Sequence, residues 1–508
     1  MSGNTSDISR LLSSSVIVFA GMLLGSFSKL IERIVIARWT SVDAYGEVSI
    51  GLSILSFSVA VALLGFNQGI PRYVPRFESE TDIRGVWMSG LAIAGALAVV
   101  LAGVILFNLD LLLGLVFENA DSRRLLLLFV ACIPFLVGLR IGVGMLRGFE
   151  NTLYRTYSRD LLYNLLRLGT LVALLQLGFD ILAAGYAYLI ATVVTFLAVH
   201  LLLNRLMSLT GDATFHVRKL VAFSTPLVLS TLISVLLMQT DTIMLGFFRS
   251  SEEVGLYGAA FPLAQGIPVV LGAFGYLYYP LASRLDVNDE HAEIDSVYKL
   301  TTKWGFILMF PLFLTFLVFP GDVLSIVFRP RYSGASLALS ILAFGFFTRG
   351  AFGRNGDTLS AVGYPRYVLY SSLAAYVLNL VLNLIFIPIY GFVGGAVTSA
   401  AASVTMNVIR YVILRIKFDI SPFSKWTVRT YIVLPCLLVP TAFAFSQFVT
   451  LTVVTLPLFL LAAAIVVTVL VVVTGCLQPE DHIALQLVES KLGLQVPFVR
   501  QYLPTVEQ

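Results

Sequence analysis

Three charged residues stand within five positions in the stretch "SKLIERIVIARW": Lys29, Glu32 and Arg33. Their i, i+3, i+4 spacing puts them on one helix face, so Lys29 can pair with Glu32 across a turn while Arg33 stays uncompensated. Arg140 and Arg349 also fall inside apolar runs, Arg140 sharing a face with Gly144 and Arg147, and Arg349 with Gly353 and Gly356. Arg167 sits near the end of another apolar run. A guanidinium presents a planar fork that grips a phosphate through two bonds at once, so Lys29, Arg33, Arg140, Arg349 and Arg167 are candidates for holding a phosphate. The same residues admit a plainer reading, in which Glu32 and Asp241 pair with the arginines as glue between helices. Glu32 and Asp241 are also the candidates for a coupling-ion site, and residue type alone does not separate the two roles. Asn379 and Asn383, one turn apart, are candidates for polar lining of a cavity.

Other chemistry is missing from the chain. There is no G-x-x-x-x-G-K-[ST] phosphate loop. The four histidines, His200, His216, His291 and His482, lack ligand spacing, and Cys132, Cys436 and Cys476 form no paired pattern. No metal, cofactor or nucleic-acid partner is expected. No connecting segment is long enough to carry an extramembrane catalytic domain, so the expectation is a protein that is not an enzyme.

The elements that must position these charges are set by composition. Of 508 residues, 58% are hydrophobic, and the mean hydropathy is +0.90, beyond the range of a soluble domain. Apolar runs recur at about 18 to 25 residues, the length a helix needs to cross the hydrocarbon core, and the alternation of a β-barrel is absent. The expected fold is all-α and polytopic, with about fourteen spans. The first covers roughly 13 to 37 and is read as retained rather than cleaved; the fifth covers about 161 to 178, and the eleventh and twelfth about 367 to 388 and 391 to 414. With the N-terminus inside, roughly 21 Lys and Arg fall on one side against 6 on the other. Both termini are therefore expected to be cytoplasmic, in the cytoplasmic membrane.

The first half of the chain matches the second at an offset of about 209 residues, which lays Glu32 on Asp241, Gly46 on Gly255, Pro71 on Pro280, Arg140 on Arg349 and Gly144 on Gly353. Six spans separate equivalent positions, so the copies share an orientation, as in parallel repeats facing a central cavity. The expected organisation is one six-helix bundle over 1–212 and a second over 213–420. Two additional helices over 421–478 and a cytoplasmic or interfacial tail over 479–508 follow.

The segments "RWTSVDAYGEVSIGLSIL", "LGFNQGIPRYV", "GMLRGFENTLYRTY", "TPLVLSTLISVLLMQTDTIMLGFFRSSEEVGLYGAA" and "IPIYGFVGGAVTSAAAS" resemble the multidrug/oligosaccharidyl-lipid/polysaccharide exporter superfamily. Within it, the chain is most similar to the Wzx-like polysaccharide-transporter flippases of lipid-linked oligosaccharides. The resemblance implies alternating access by two lobes. It also implies a cationic cavity and a polyprenyl (undecaprenyl- or dolichyl-) phosphate- or pyrophosphate-linked sugar carried from the cytoplasmic to the outer leaflet, for surface polysaccharide or glycoprotein synthesis. The partners it implies are that lipid-linked sugar, membrane lipids, and glycosyltransferases or a polymerase of the same pathway, with the chain acting as a monomer. Two alternatives stay open at this point: a cation-coupled multidrug or metabolite exporter on the same scaffold, and a non-transporting scaffold for glycan assembly.

Overall fold

The computed structural model describes Gly25 and residues 27–119 and 121–482. The chain divides into two compact units, Met1–Gly258 and Ala259–Gln508. The first holds α1 (27–39), α2 (Val42–Ala62), α3 (Phe66–Tyr73), α4 (Glu80–Phe107), α5 (Leu109–Val116), α6 (Ser122–Gly148), α7 (Thr152–Arg155), α8 (Tyr163–Gln176), α9 (Ile181–Leu203), α10 (Val217–Phe248) and the start of α11 (Ser251–Gly266). The second continues with α12 (Val269–Val287), α13 (His291–Val318), α14 (Pro320–Val327), α15 (Ser336–Phe352), α16 (Asn355–Ala361), α17 (Pro365–Phe418), α18 (Lys425–Ser446) and α19 (Thr455–Val473).

The protein is an all-α, multi-pass membrane protein. Among the described residues, eleven helices are long and apolar enough to cross a membrane. Most of the first expected span, and the tail from residue 483 onward, lie outside the described residues. The fifth expected span is split between a π-helical turn, Thr156–Leu162, and the 14-residue α8. The eleventh and twelfth are the two halves of the 54-residue α17, which breaks at Gly391 with φ 57° and ψ −137°. Only glycine adopts that backbone without strain, and the break lets Gly394 approach the Phe386 carbonyl so closely that a Cβ would stand 2.3 Å from its oxygen.

In the first unit α6 is the central helix, packed by α9, α4, α3 and α2. Small residues permit the approach: a Cβ on Gly138 or Gly142 would lie 2.5 Å from Phe196 or Val199 of α9. In the second unit α15 packs between α13 and α17, and α18 and α19 lean on α13. α19 buries only 17% of its most apolar window, so the rest of its surface suits lipid. Its lower end is fixed by Lys303 of α13, a fully buried ammonium that pairs with Asp481 just past the last span, while Trp304 Nε1 donates to the same carboxylate at 2.8 Å.

α10 falls in the expected second bundle, 213–420, yet it packs on α2 and α3 and lies in the first unit. The start of α11 does the same. Residues matched by the repeat meet there: a Cβ on Gly46 would lie 1.9 Å from the Ser251 carbonyl oxygen, and one on Gly255 would lie 2.2 Å from the Val42 carbonyl oxygen. A buried carboxylate, Glu47, closes the junction by accepting from the Glu118 and Asn119 amides (3.1 and 2.8 Å) and from the Ser122 hydroxyl.

Candidate functional site

α1 reaches the core of the first unit through Glu32, which is 3% exposed. Glu32 does not pair with Lys29 as the spacing allowed. Its Oε2 lies 2.6 Å from Arg167 Nη2 of α8, with both side chains 4% exposed. The guanidinium is bracketed by the rings of Tyr163 and Tyr188 (4.9 and 4.7 Å to the centroids) and also donates to Asn164 Oδ1 at 3.3 Å. Arg167 is thus consumed inside the protein: a phosphate would have to displace a desolvated, aromatic-bracketed ion pair to reach it. It ties α1 to α8.

That pairing decides the electrostatics of its surroundings. Lys29 is exposed, and the charges acting on it are Arg167, Arg140 and Arg159 with Glu32 as the attractive member. Arg140, at the start of the last third of α6, is also exposed, and Arg159 and the Tyr163 hydroxyl act on it electrostatically. Arg33 is half-buried and its charge acts on the Tyr45 hydroxyl, which donates to the Gly258 carbonyl at 2.8 Å. Among the described residues, Lys29, Arg33, Arg140 and Arg159 have no carboxylate within salt-bridge distance. Each such cation would cost about 2.5–3.5 kcal/mol at the bilayer centre against lipid, so this face requires water or an anion.

The second unit carries a separate cationic patch. Arg349, in the last turn of α15, has its guanidinium 5.3 Å from the Phe346 ring centroid, and its buried Nε lacks a hydrogen-bond partner among the described residues. Arg410 of α17 lies near enough to repel it, and is held by neutral groups, donating to the Ser371 and Ser372 hydroxyls at 2.9 and 2.8 Å. Asp357 is taken by Arg354. The face expected for Arg349, Gly353 and Gly356 does not form, because α15 stops at Phe352 and Gly353 turns out with φ 60°. α6 instead runs on to Gly148, so Arg140, Gly144 and Arg147 do share a face.

One other expectation is corrected. Asn379 and Asn383 are buried rather than lining: Asn383 Nδ2 donates to Asn379 Oδ1 at 3.1 Å, and Thr398, across the break at Gly391, donates to Asn383. The fold of α17 brings 383 and 398 together and spends the amides on joining its halves. Asp241, the repeat mate of Glu32, is buried and accepts from the Tyr257 hydroxyl at 2.5 Å. Arg159 and Arg410 were missed by sequence reasoning. Arg410 lies inside the expected twelfth span and was detectable by the rule that found Arg349, whereas Arg159 was assigned to a loop. No group of His, Cys, Asp and Glu able to hold a metal occurs among the described residues.

Comparison with known proteins adds the family context. The family described as "Polysaccharide biosynthesis protein" matches residues 11–286, and the MatE family matches 226–385. The chain is 27% identical over 298 residues to the probable low-salt glycan biosynthesis flippase Agl15 of Haloferax volcanii, a match that covers 58% of this chain and 62% of Agl15. It is 21% identical to the probable flippase AglR of the same organism, across 77% of this chain and 81% of AglR. The fold is similar to that of the lipid II flippase MurJ in its inward closed conformation, with TM-score 0.66 at 13% identity, covering 90% of this chain and 98% of MurJ.

Proposed function

Since the chain belongs to the polysaccharide biosynthesis protein family, a family of membrane transporters rather than catalysts, we propose that it is a flippase for a polyprenyl-phosphate- or pyrophosphate-linked sugar. The cargo moves from the cytoplasmic to the outer leaflet of the cell membrane by alternating access of the two units, and the carrier lipid is an undecaprenyl or dolichyl chain. Lys29, Arg33 and Arg140 are the phosphate-holding cations of the first unit; Arg349, with Arg410, is the cationic patch of the second. The sugar travels in water and the prenyl tail stays in lipid. Both termini lie in the cytoplasm, a placement that the bias of Lys and Arg between loops supports.

One observation carries this reading: Glu32 is committed to Arg167, so the cations around it keep a positive surplus at membrane depth that only an anion or water can satisfy. A site of this sign opposes cationic drugs, and with it the exporter alternative. The relatives named as glycan flippases support a lipid-linked sugar as cargo. The test is a leaflet-resolved assay in proteoliposomes loaded with a polyprenyl-pyrophosphate-linked sugar. Wild type moves the sugar across, and Arg140→Gln/Arg349→Gln does not. Equal transport by a stably folded double variant would sink the assignment, and binding without translocation by wild type would favour a scaffold.

A further inference from the structure

A second group of arginines stands where α6 gives way to α8. Arg147 occupies the last turn of α6, Arg155 is the last residue of α7, and Arg159 sits at the middle of the π-helical turn Thr156–Leu162. Arg147 and Arg159 are exposed. The turn between α6 and α7 is rigidly built: Glu150 takes a positive φ of 55°, and Asn151 caps α7 by accepting from the Tyr154 amide at 3.0 Å. The three guanidiniums act on one another electrostatically, and the acid that acts on the group is Asp160. No salt bridge forms within the group, although Arg155 Nε and Asp160 Oδ2 are both buried and lack hydrogen-bond partners among the described residues. The three cations outnumber the acid that acts on them, and Arg155 Nε keeps an unfilled donor, the charge sign and donor type that a phosphate or pyrophosphate takes.

Arg159 also belongs to the deeper site, since it acts on both Lys29 and Arg140. The π-turn sets its direction. Asn164 Nδ2 donates to the Asp160 carbonyl at 2.8 Å, while Asn164 Oδ1 accepts from Arg167, so the register of the turn is tied to the Glu32–Arg167 pair. An insertion of this type commonly re-aims a side chain at a working site.

We propose that Arg147, Arg155 and Arg159 form a loading station for the phosphate or pyrophosphate of the cargo at the cytoplasmic mouth, from which Arg159 passes it to Lys29 and Arg140. This rests on the reading of the chain as a carrier of phosphate-linked cargo. It adds a separate site, used before translocation, whose loss slows capture rather than crossing.

The test uses the full-length protein and inorganic pyrophosphate, titrated calorimetrically in detergent, alongside transport in proteoliposomes. Arg147→Gln/Arg155→Gln should weaken pyrophosphate binding by about tenfold, equivalent to about 1.4 kcal/mol. It should also raise the cargo concentration for half-maximal transport with little change in the maximal rate. Arg140→Gln should lower the maximal rate instead. Pyrophosphate affinity within about twofold of wild type overturns the station. So does a transport defect seen only in phosphatidylglycerol vesicles and absent in phosphatidylcholine, which would assign the arginines to membrane headgroups. Should the double variant melt early, Arg147→Gln alone, at an exposed position, carries the same comparison. If wild type moves no phosphate-linked sugar while Arg147→Gln/Arg155→Gln still loses pyrophosphate, the proposed function fails and the anion station stands.

Discussion

Gly46 and Gly255, 209 residues apart in one frame of the internal repeat, pack directly against each other. A Cβ built on Gly46 would lie 2.9 Å from the Gly255 amide nitrogen. The contact is reciprocal, since Gly46 presses on Ser251 and Gly255 presses on Val42, four residues before its partner in each case. Gly258 and its repeat mate Ser49 meet in the same row, where a Cβ on Gly258 would lie 3.1 Å from Ser49 Oγ. Reciprocity of this kind is what a self-complementary contact produces.

Gly46→Ala should therefore destabilise the protein by about 1–3 kcal/mol, the usual range for overpacking a close contact. The added methyl meets backbone that has no room to yield. Gly95→Ala is the control, because nothing lies within 4 Å of its Cβ, and it should be neutral or stabilising by up to about 1 kcal/mol. Thermal unfolding in detergent reads both. Equal melting temperatures for the two variants would contradict the packing.

Removing one member of the Glu32–Arg167 pair should cost about 3–5 kcal/mol, because the survivor is a buried charge without compensation. Glu32→Gln/Arg167→Gln should recover most of that loss. A double-mutant cycle on unfolding free energies measures the coupling. Were Arg167 a phosphate ligand instead, both single variants would stay stable and only transport would fall.

Arg140→Gln and Arg349→Gln should leave stability within about 0.5 kcal/mol, since among the described residues neither arginine has a carboxylate to orphan. Phosphate-linked cargo binding should weaken in each. Arg140→Lys should recover only part of it, because an ammonium lacks the planar fork. Full recovery by lysine would reduce the site to a point charge.

Asn383→Leu should destabilise by about 1–3 kcal/mol by removing the side chain that joins Asn379 to Thr398 across the break at Gly391. Cargo affinity should not change. Unchanged stability with altered affinity would return Asn383 to the cavity wall, where the one-turn spacing first placed it.

The all-α, polytopic class was legible because its cause is local: the lipid core imposes length and apolarity on each helix separately. Charges inside long apolar helices were legible for the same reason, since Arg140 and Arg349 fall in α6 and α15 as their runs suggested. Partner choice was not legible. Lys29 and Arg167 both lay within reach of Glu32 in principle, and tertiary packing of α1 on α8 decided for Arg167. The asparagines failed similarly, since their partner Thr398 comes from beyond a backbone break whose sharpness a single glycine hides. Arg159 was concealed by a π-turn, a register change without a residue signature.

The commitment of Glu32 to Arg167 has a consequence for solvent composition. With that carboxylate withdrawn, Lys29, Arg33, Arg140 and Arg159 must draw their counter-charge from mobile ions whenever no cargo is present. Under the proposed function, loading becomes an ion exchange, in which the phosphate would displace small anions and gain from their release into bulk. Multivalent salts such as sulfate become competitors, and capture should weaken steadily with ionic strength while the crossing step, made with the charges already matched, stays indifferent to it.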